Sequence, residues 1–458
     1  MRMRKVLAVL LSTAMMTGLL SGCGSKTEEA AAPADAATTT EAEAPAETAE
    51  ATDTASEGDV EITWMFWDDL EATEDLMSQQ YAETIKRFNE ADNGYHVNVI
   101  TTNLEEYDTK LNALIAAGQA PDVWICNPGP NMTQYVEADV VMDLTDILAK
   151  DTEWNDSFTG GIFERMTYDG KIMAVPTNFA AACVFYNTEI FEEVGVSVPT
   201  TWTEFMDVCQ KIQDAGYSPL SISAGTPWCL SMVAGYLCDR EGGPDNLKGI
   251  ADGSVKWTDP SYVNAANKLV ELSKYFQPTY LGDSNDQATA NFYNGEAAML
   301  IQGSWAIAQI NGNAPEMQDK CGVFQFPGVE GGSDPNRWIV KTDNLMVSKN
   351  TKNVDACIAL LKEFTGETAQ KATAEIAGKM PIIDVEVDYT KAPKQLSYVQ
   401  DCMKTLTGTF GFYNESLASV EAGDKFDNTM VSVVMGETTP EDGMATMQKL
   451  YEENVYNK

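Results

Sequence analysis

The stretch "DVEITWMFWDD", residues 59–69, sets the fold class. Val60, Ile62, Trp64 and Phe66 alternate with polar or opposite-facing positions, the period of a strand with one face in a core. The run ends in Trp67-Asp68-Asp69. Trp64, in step with Val60 and Ile62, is the core tryptophan of the pair. The following "TEDLMSQQYAETIKRFNEADNG" places Leu76, Tyr81, Ile85 and Phe88 at helical spacing and stops at Asn93-Gly94. "YHVNVIT" predicts a second strand. "LEEYDTKLNALIAAGQAPDVWICN" predicts a helix with Tyr107, Leu111, Leu114 and Ile115 on its apolar face. After Gly118 and Pro121 comes a short buried strand, "DVWIC". Strand–helix–strand–helix–strand at this spacing predicts a parallel α/β sheet. Ligands of such sheets bind beyond the carboxyl ends of the strands. Trp67, Asp68 and Asn127 fall there.

Downstream the pattern starts again. "YDGKIMAVPTNFAAACVFYN" (168–187) reads as two extended apolar runs joined by Pro176-Thr177-Asn178. A second α/β series follows: a helix over 201–215, the strand "PLSIS", helices near 228–238 and 261–276, and the run "AAMLIQGSW". "RWIVKTDNLMVSKN" (337–350) is extended again and precedes two helical stretches. In the first of these Val354, Cys357, Ile358 and Leu361 share an apolar face. The tail beyond Pro381 reads as mostly helical.

Upstream the chain is of another kind. "MRMRK" carries three positive charges, and Val6 to Leu20 is an uncharged run of signal-peptide length, too short to span a bilayer. Leu20-Ser21-Gly22-Cys23 resembles the bacterial lipobox. That resemblance implies cleavage after residue 22 and a diacylglycerol on the Cys23 sulfur. Residues 24–59 hold no Leu, Ile, Val, Met or aromatic residue. Such a segment cannot bury enough apolar surface to offset its ordering entropy, so residues 23–59 are expected to be a lipidated cysteine and a disordered acidic tether. Its root-mean-square span is roughly 30–35 Å. Residues 60–458 are the globular body.

Composition narrows the partners. The chain carries 69 acidic against 30 basic residues, a net charge of −39. This makes nucleic acid and anionic membrane surfaces poor partners, suits a neutral ligand and leaves a cationic one open. The single histidine, His96, lies in a strand-like run, which excludes a histidine-based triad and HExxH zinc chemistry. Neither GxSxG nor a phosphate-binding GxxxxGK[ST] is present. Paired carboxylates are too abundant to single out a glycosidase dyad. No metal and no cofactor are expected. Beyond Cys23, eight cysteines show no CxxC, and several sit in apolar runs. They read as buried thiols, with Cys229 and Cys238 as the one close pair to test.

Seven ordered landmarks carry a resemblance: "GQAPDVWICN", "MDLTDIL", "YDGKIMAVP", "VFYNTEIFEEVGVSVPTTWTEF", "FYNGEAAMLIQGSW", "FPGVEGG" and "LMVSKNTKNVDACIALLKEFTG". Over residues 60–455 the chain resembles the extracellular solute-binding proteins of family 1, the carbohydrate-type receptors of ABC importers. The resemblance implies a two-lobe α/β fold of the periplasmic-binding-protein type, with a ligand cleft between lobes joined by hinge crossovers. It places lobe one at about 60–176 and 345–379, and lobe two at about 180–340 and 380–458. It also implies membrane permease subunits as partners, a monomer, and residence on the extracellular face of the cytoplasmic membrane.

A sugar presents hydroxyls that want acceptors and amides, and a CH-rich face that packs on a ring. Trp67 with Asp68 offers a platform and an acceptor. Asn127, opening the loop "NPGPN", either meets the ligand or bonds its own backbone. Asn178, in the first crossover by the resemblance, either contacts ligand or braces the hinge. Trp228 in "GTPWCL" is open between core and ligand. Trp305 in "GSW" matches a family landmark and is expected to stack on ligand. Asp343, near the second crossover, and Glu415 in "FYNESL" complete the candidates. Lys341-Thr342-Asp343-Asn344 departs from relatives in which glycines are frequent at this point. A carbohydrate, taken as an oligosaccharide, is the expected ligand; a polyamine receptor and a surface-anchored glycoside hydrolase are the alternatives.

Overall fold

Ile62, Trp64 and Phe66 are buried in a strand whose first residue, Val60, stays exposed, and Met65 is buried on the opposite face. Burial on both faces is what a parallel strand covered by helices requires. The computed structural model describes residues 58–71 and 75–457. Cys23, the apolar run before it and the Ala/Thr/Glu-rich segment through residue 57 lie outside these residues.

The strands in chain order are β1 (Val60–Phe66), β2 (Tyr95–Thr101), β3 (Val123–Cys126), β4 (Thr167–Tyr168), β5 (Lys171–Ile172), β6 (Val175–Asn187), β7 (Ser218–Ser221), β8 (Ala297–Gly303), β9 (Cys321–Phe324), β10 (Arg337–Val347) and β11 (Gly408–Phe410). β1 pairs in parallel with β2 and β3, as the strand–helix spacing predicts. The sheet then runs β2-β1-β3-β10-β6-β8-β7, with β11 on β10 and β9 on β6. β4 and β5 form a separate hairpin. Asp169 and Gly170 turn it, both at positive φ, the conformation that a tight hairpin turn of matching twist demands.

Local signals start and stop the helices. Asp75 accepts from the backbone N–H of Met77 (3.2 Å) and Ser78 (2.9 Å), capping the helix Leu76–Glu90. That helix buries Met77, Tyr81, Ile85 and Phe88. Thr201 and Glu204 form a reciprocal capping box at the start of the helix Trp202–Asp214.

Two large cores flank the middle of the sheet. One gathers β1, β3, Met173 and Ala174 just before β6, Val175 at its start, Leu345 to Val347 at the end of β10, and the helix Val354–Thr365; it still includes Ile382 and Ile383. The other gathers Ala182 and Val184 of β6, the buried helix Pro227–Gly242, residues of β8 and the tail from Phe412 to Tyr451. A third, smaller cluster packs Phe185, Leu300, Ile307, Trp338 and Leu396. β6 and β10, antiparallel to each other, therefore carry the chain between the cores.

Pro176-Thr177-Asn178 does not join two separate runs, as the sequence suggests. It lies inside the single strand β6. Asn178 pairs with Asp343 and Pro176 with Asn344, leaving Thr177 as the extra residue of a bulge. A bulge tolerates the missing N–H of proline, and side chains take up the groups it frees. Gln370 donates to the Thr177 carbonyl at 2.8 Å, and the Thr177 hydroxyl donates to the Asp343 carbonyl at 3.1 Å.

The eight described cysteines are free thiols, seven of them buried. Cys229 and Cys238 sit nine positions apart on one helix, a rise of about 13–14 Å, beyond disulfide reach. Among the described residues no helix is long and apolar enough to cross a membrane.

Candidate functional site

The carboxyl ends of β1 and β3 deliver Trp67, Asp68 and Asn127 to the edge of the first core. The end of β8 delivers Trp305 from the other side, and β10 passes between them. The "GSW" landmark has a steric basis. A Cβ on Gly303 would stand 2.0 Å from the Trp305 ring, so only glycine lets that ring fold back over the strand end. Trp228 meets Trp305 edge-on at 6.0 Å, and Phe412 lies 5.9 Å from it. Across the gap Trp67 rests against Tyr107 at 5.5 Å. Trp67, Trp228 and Trp305 are each only partly buried, whereas Trp64 is fully buried.

Lys341 of β10 ties the two sides together. Its ammonium lies 5.6 Å from the centroid of Trp67 and 5.6 Å from that of Trp305. It donates to Asn127 Oδ1 at 2.8 Å and lies 3.5 Å from Asp343 Oδ1. Four of the sequence candidates thus converge on a residue singled out only as a departure from the family. The available signal was a lysine opening the polar run Lys341-Thr342-Asp343-Asn344 between the apolar halves of one strand.

Asn178 and Asp343 sit behind this floor, 1% and 5% exposed. Asp343 Oδ2 accepts from Asn178 Nδ2 at 2.9 Å and from Lys379 Nζ at 3.0 Å. Burial raises the Asp343 pKa, but Lys379, Lys341 and the Asn178 amide outweigh it and hold the carboxyl well below the usual range. Asn178 also donates to Tyr81 at 3.2 Å. In this structure the pair forms a buried brace between β6 and β10, one layer behind the ring-lined wall.

Asp68 is half-buried and accepts from the Asp69 N–H at 2.8 Å. Burial pushes its pKa up to about 6, with Asp75 and Asp286 adding to the rise and hydrogen bonds from Asp69 and Ser78 opposing it. Glu415 is 8% exposed, and its Oε2 has no hydrogen-bond partner. Burial raises its pKa, while Lys341 and Arg165 pull it down. It borders a cavity of about 940 Å³ lined from one side by Gly129, Thr133, Arg165 and Tyr168, and from the other by Ser416, Ser419 and Asn454. Sequence reasoning singled out neither Phe412, which packs on Trp228 and Trp305, nor Arg165 and this cavity, whose lining holds none of the three tryptophans. Each is distant in the chain from what it meets.

Two α/β cores threaded by crossover strands, with aromatic and polar side chains meeting in the gap, define a two-lobe ligand receptor. The chain matches the profile of the bacterial extracellular solute-binding proteins over residues 73–371, and it belongs to that family. It is 27% identical over 199 residues to an uncharacterized ABC transporter extracellular-binding protein of Pyrococcus horikoshii, covering 43% of this chain and 45% of that one. The chain therefore spans about half the length of that relative. A probable sugar-binding periplasmic protein of Mesorhizobium japonicum is 24% identical, covering 61% of this chain and 67% of its own length. Among solved structures, a protein from work on xylan utilization by Caldanaerobius polysaccharolyticus is similar with a TM-score of 0.79 and 25% identity. The match covers 85% of this chain and 99% of that one.

Proposed function

We propose that this protein is the substrate-binding subunit of an ABC importer, capturing a carbohydrate and delivering it unchanged to membrane permease subunits. It would act as a monomer on the extracellular face of the cytoplasmic membrane, held there by a lipid on Cys23. The observation that carries this reading is the convergence of Trp67, Trp305, Asn127 and Asp343 on Lys341, with Trp228 packed against Trp305. Rings supply flat apolar area for the CH face of a sugar, and the amide and carboxylates supply acceptors for its hydroxyls. Family membership and sugar-binding relatives support the same class. The volume beside Glu415 lies in the range of a small-molecule site.

A thermal-shift panel of mono- and oligosaccharides tests it. A ligand at 1,000 times its Kd adds about 4 kcal/mol to the folded state, which raises the midpoint by several degrees. Stoichiometric binding with the sugar recovered intact is the expected result. Hydrolysed sugar would make the protein a glycosidase, and no response to any sugar would overturn the carbohydrate assignment.

A further inference from the structure

The gap between the lobes has the composition of a cation receptor. Two indole faces from opposite cores look onto one point, and carboxylates stand near it: Asp343 lies 3.5 Å from the Lys341 ammonium, and Glu415 is close enough to feel that charge. Aromatic faces attract cations through the ring quadrupole, and paired rings are how proteins hold ammonium ligands. The chain around them carries a net charge of −39, which draws cations to any open cleft. Such a site should favour a polyamine over a sugar.

The position is already filled. The Lys341 side chain is only 17% exposed, and its ammonium has both rings, Asn127 and Asp343 around it. Being tethered to β10, it competes at an effective concentration that a free ligand does not reach. A second cation at the same rings would meet like charge at short range, a direct penalty against the wrong partner. A neutral sugar meets no such penalty. Its hydroxyl can accept from the ammonium while its CH face takes the outer part of either ring.

We propose that Lys341 is the charge selector of this receptor: its ammonium stands where a cationic ligand's would, and so restricts the cleft to ligands without positive charge. The inference rests on the inter-lobe cleft being the ligand site. Asp343 does not cancel the effect, because its other oxygen is already held by Lys379 and Asn178.

The test uses the full chain and spermidine, which presents the same four-carbon stem ending in an ammonium as lysine does. Titration calorimetry is run on wild type, Lys341→Ala, Lys341→Met and Lys341→Arg, each with a denaturant melt to establish folding. Wild type and Lys341→Arg should show no spermidine binding up to millimolar concentration. Lys341→Ala should bind spermidine at least tenfold more tightly, with the gain weakened by salt. Adding Trp67→Leu to Lys341→Ala should abolish the gain. If Lys341→Ala misfolds, Lys341→Met, which keeps the stem volume, must show the same gain. A folded uncharged variant that binds spermidine no better than wild type would overturn the proposal, as would tight spermidine binding by wild type. Failure of the carbohydrate reading appears separately, as wild type that binds no sugar while the uncharged variants still gain the cation.

Discussion

Gly129 stands so close to Glu415 that a Cβ placed on it would lie 1.8 Å from the Glu415 carbonyl oxygen. Gly129 opens the helix Pro130–Glu137 against the first core, and Glu415 belongs to the tail of the second. Its φ of +81° also favours glycine. The two lobes therefore meet at this separation only because one residue has no side chain.

Gly129→Ala should hold the lobes apart at this point. Ligand affinity is expected to fall by tenfold or more, and the ligand-saturated variant should keep a larger radius of gyration than wild type in small-angle scattering. Gly118→Ala is the control. Gly118 also has positive φ, +71°, but open space around its Cβ position, so it bears the backbone cost of about 1 kcal/mol without blocking contact. Equal compaction of both variants would refute the closing role.

Trp305→Ala removes a ring buttressed by Trp228 and Phe412 but still partly exposed. A stacking platform should cost about 1–3 kcal/mol of sugar affinity, roughly ten- to a hundredfold, on the scale of ring stacking elsewhere. Folding stability should change little. A loss of about 3–5 kcal/mol of stability with affinity intact would instead mark a core residue.

Asp343 and Lys379 are both 5% exposed and paired at 3.0 Å. Asp343→Ala leaves the Lys379 ammonium buried without that partner and should cost about 3–5 kcal/mol in a denaturant melt. Because the Asp343 pKa is held below that of an unfolded aspartate, its contribution is complete above about pH 4 and is lost as pH falls below that. Asp343→Asn should flatten this acid limb.

Asp427 has the opposite sign. It is 7% exposed, and burial pushes its pKa up to about 7 despite hydrogen bonds from Ser231 and Asn414. The folded state thus prefers the neutral acid, and stability falls as pH rises from about 4 through 7, by no more than about 4 kcal/mol. Asp427→Asn mimics the neutral acid. It should be more stable than wild type at pH 8 and equal to it near pH 4, as read by melts across that range.

Cys23→Ser tests the anchor by itself. Sugar binding should be unchanged, and the protein should move from the membrane fraction to the culture medium. Retention on membranes at the wild-type level would exclude lipid attachment at this cysteine.

The strand at 60–66, the helices that follow it and the parallel pairing of β1 with its neighbours were legible because burial imposes a period on the chain, and a period is local. The positions just beyond strand ends followed from the same logic, which singled out Trp67 and Asn127; Trp305 was singled out by the family landmark "GSW". The fate of Pro176-Thr177-Asn178 was not local. Proline and a polar pair signal a break, and only the partner strand β10, with Gln370 and Asp343 ready to take the freed groups, keeps β6 continuous. Whether Asn178 faces ligand or brace depended on the same partner. Lys341 could not be assigned from its neighbours in the chain. Its place is set by Trp67, Asn127 and Trp305, which lie 274, 214 and 36 residues away in sequence and share no pattern with it. Local periodicity decided which residues are buried; the packing of distant segments decided which side chains meet in the cleft, since charge and ring geometry act through space and not along the chain.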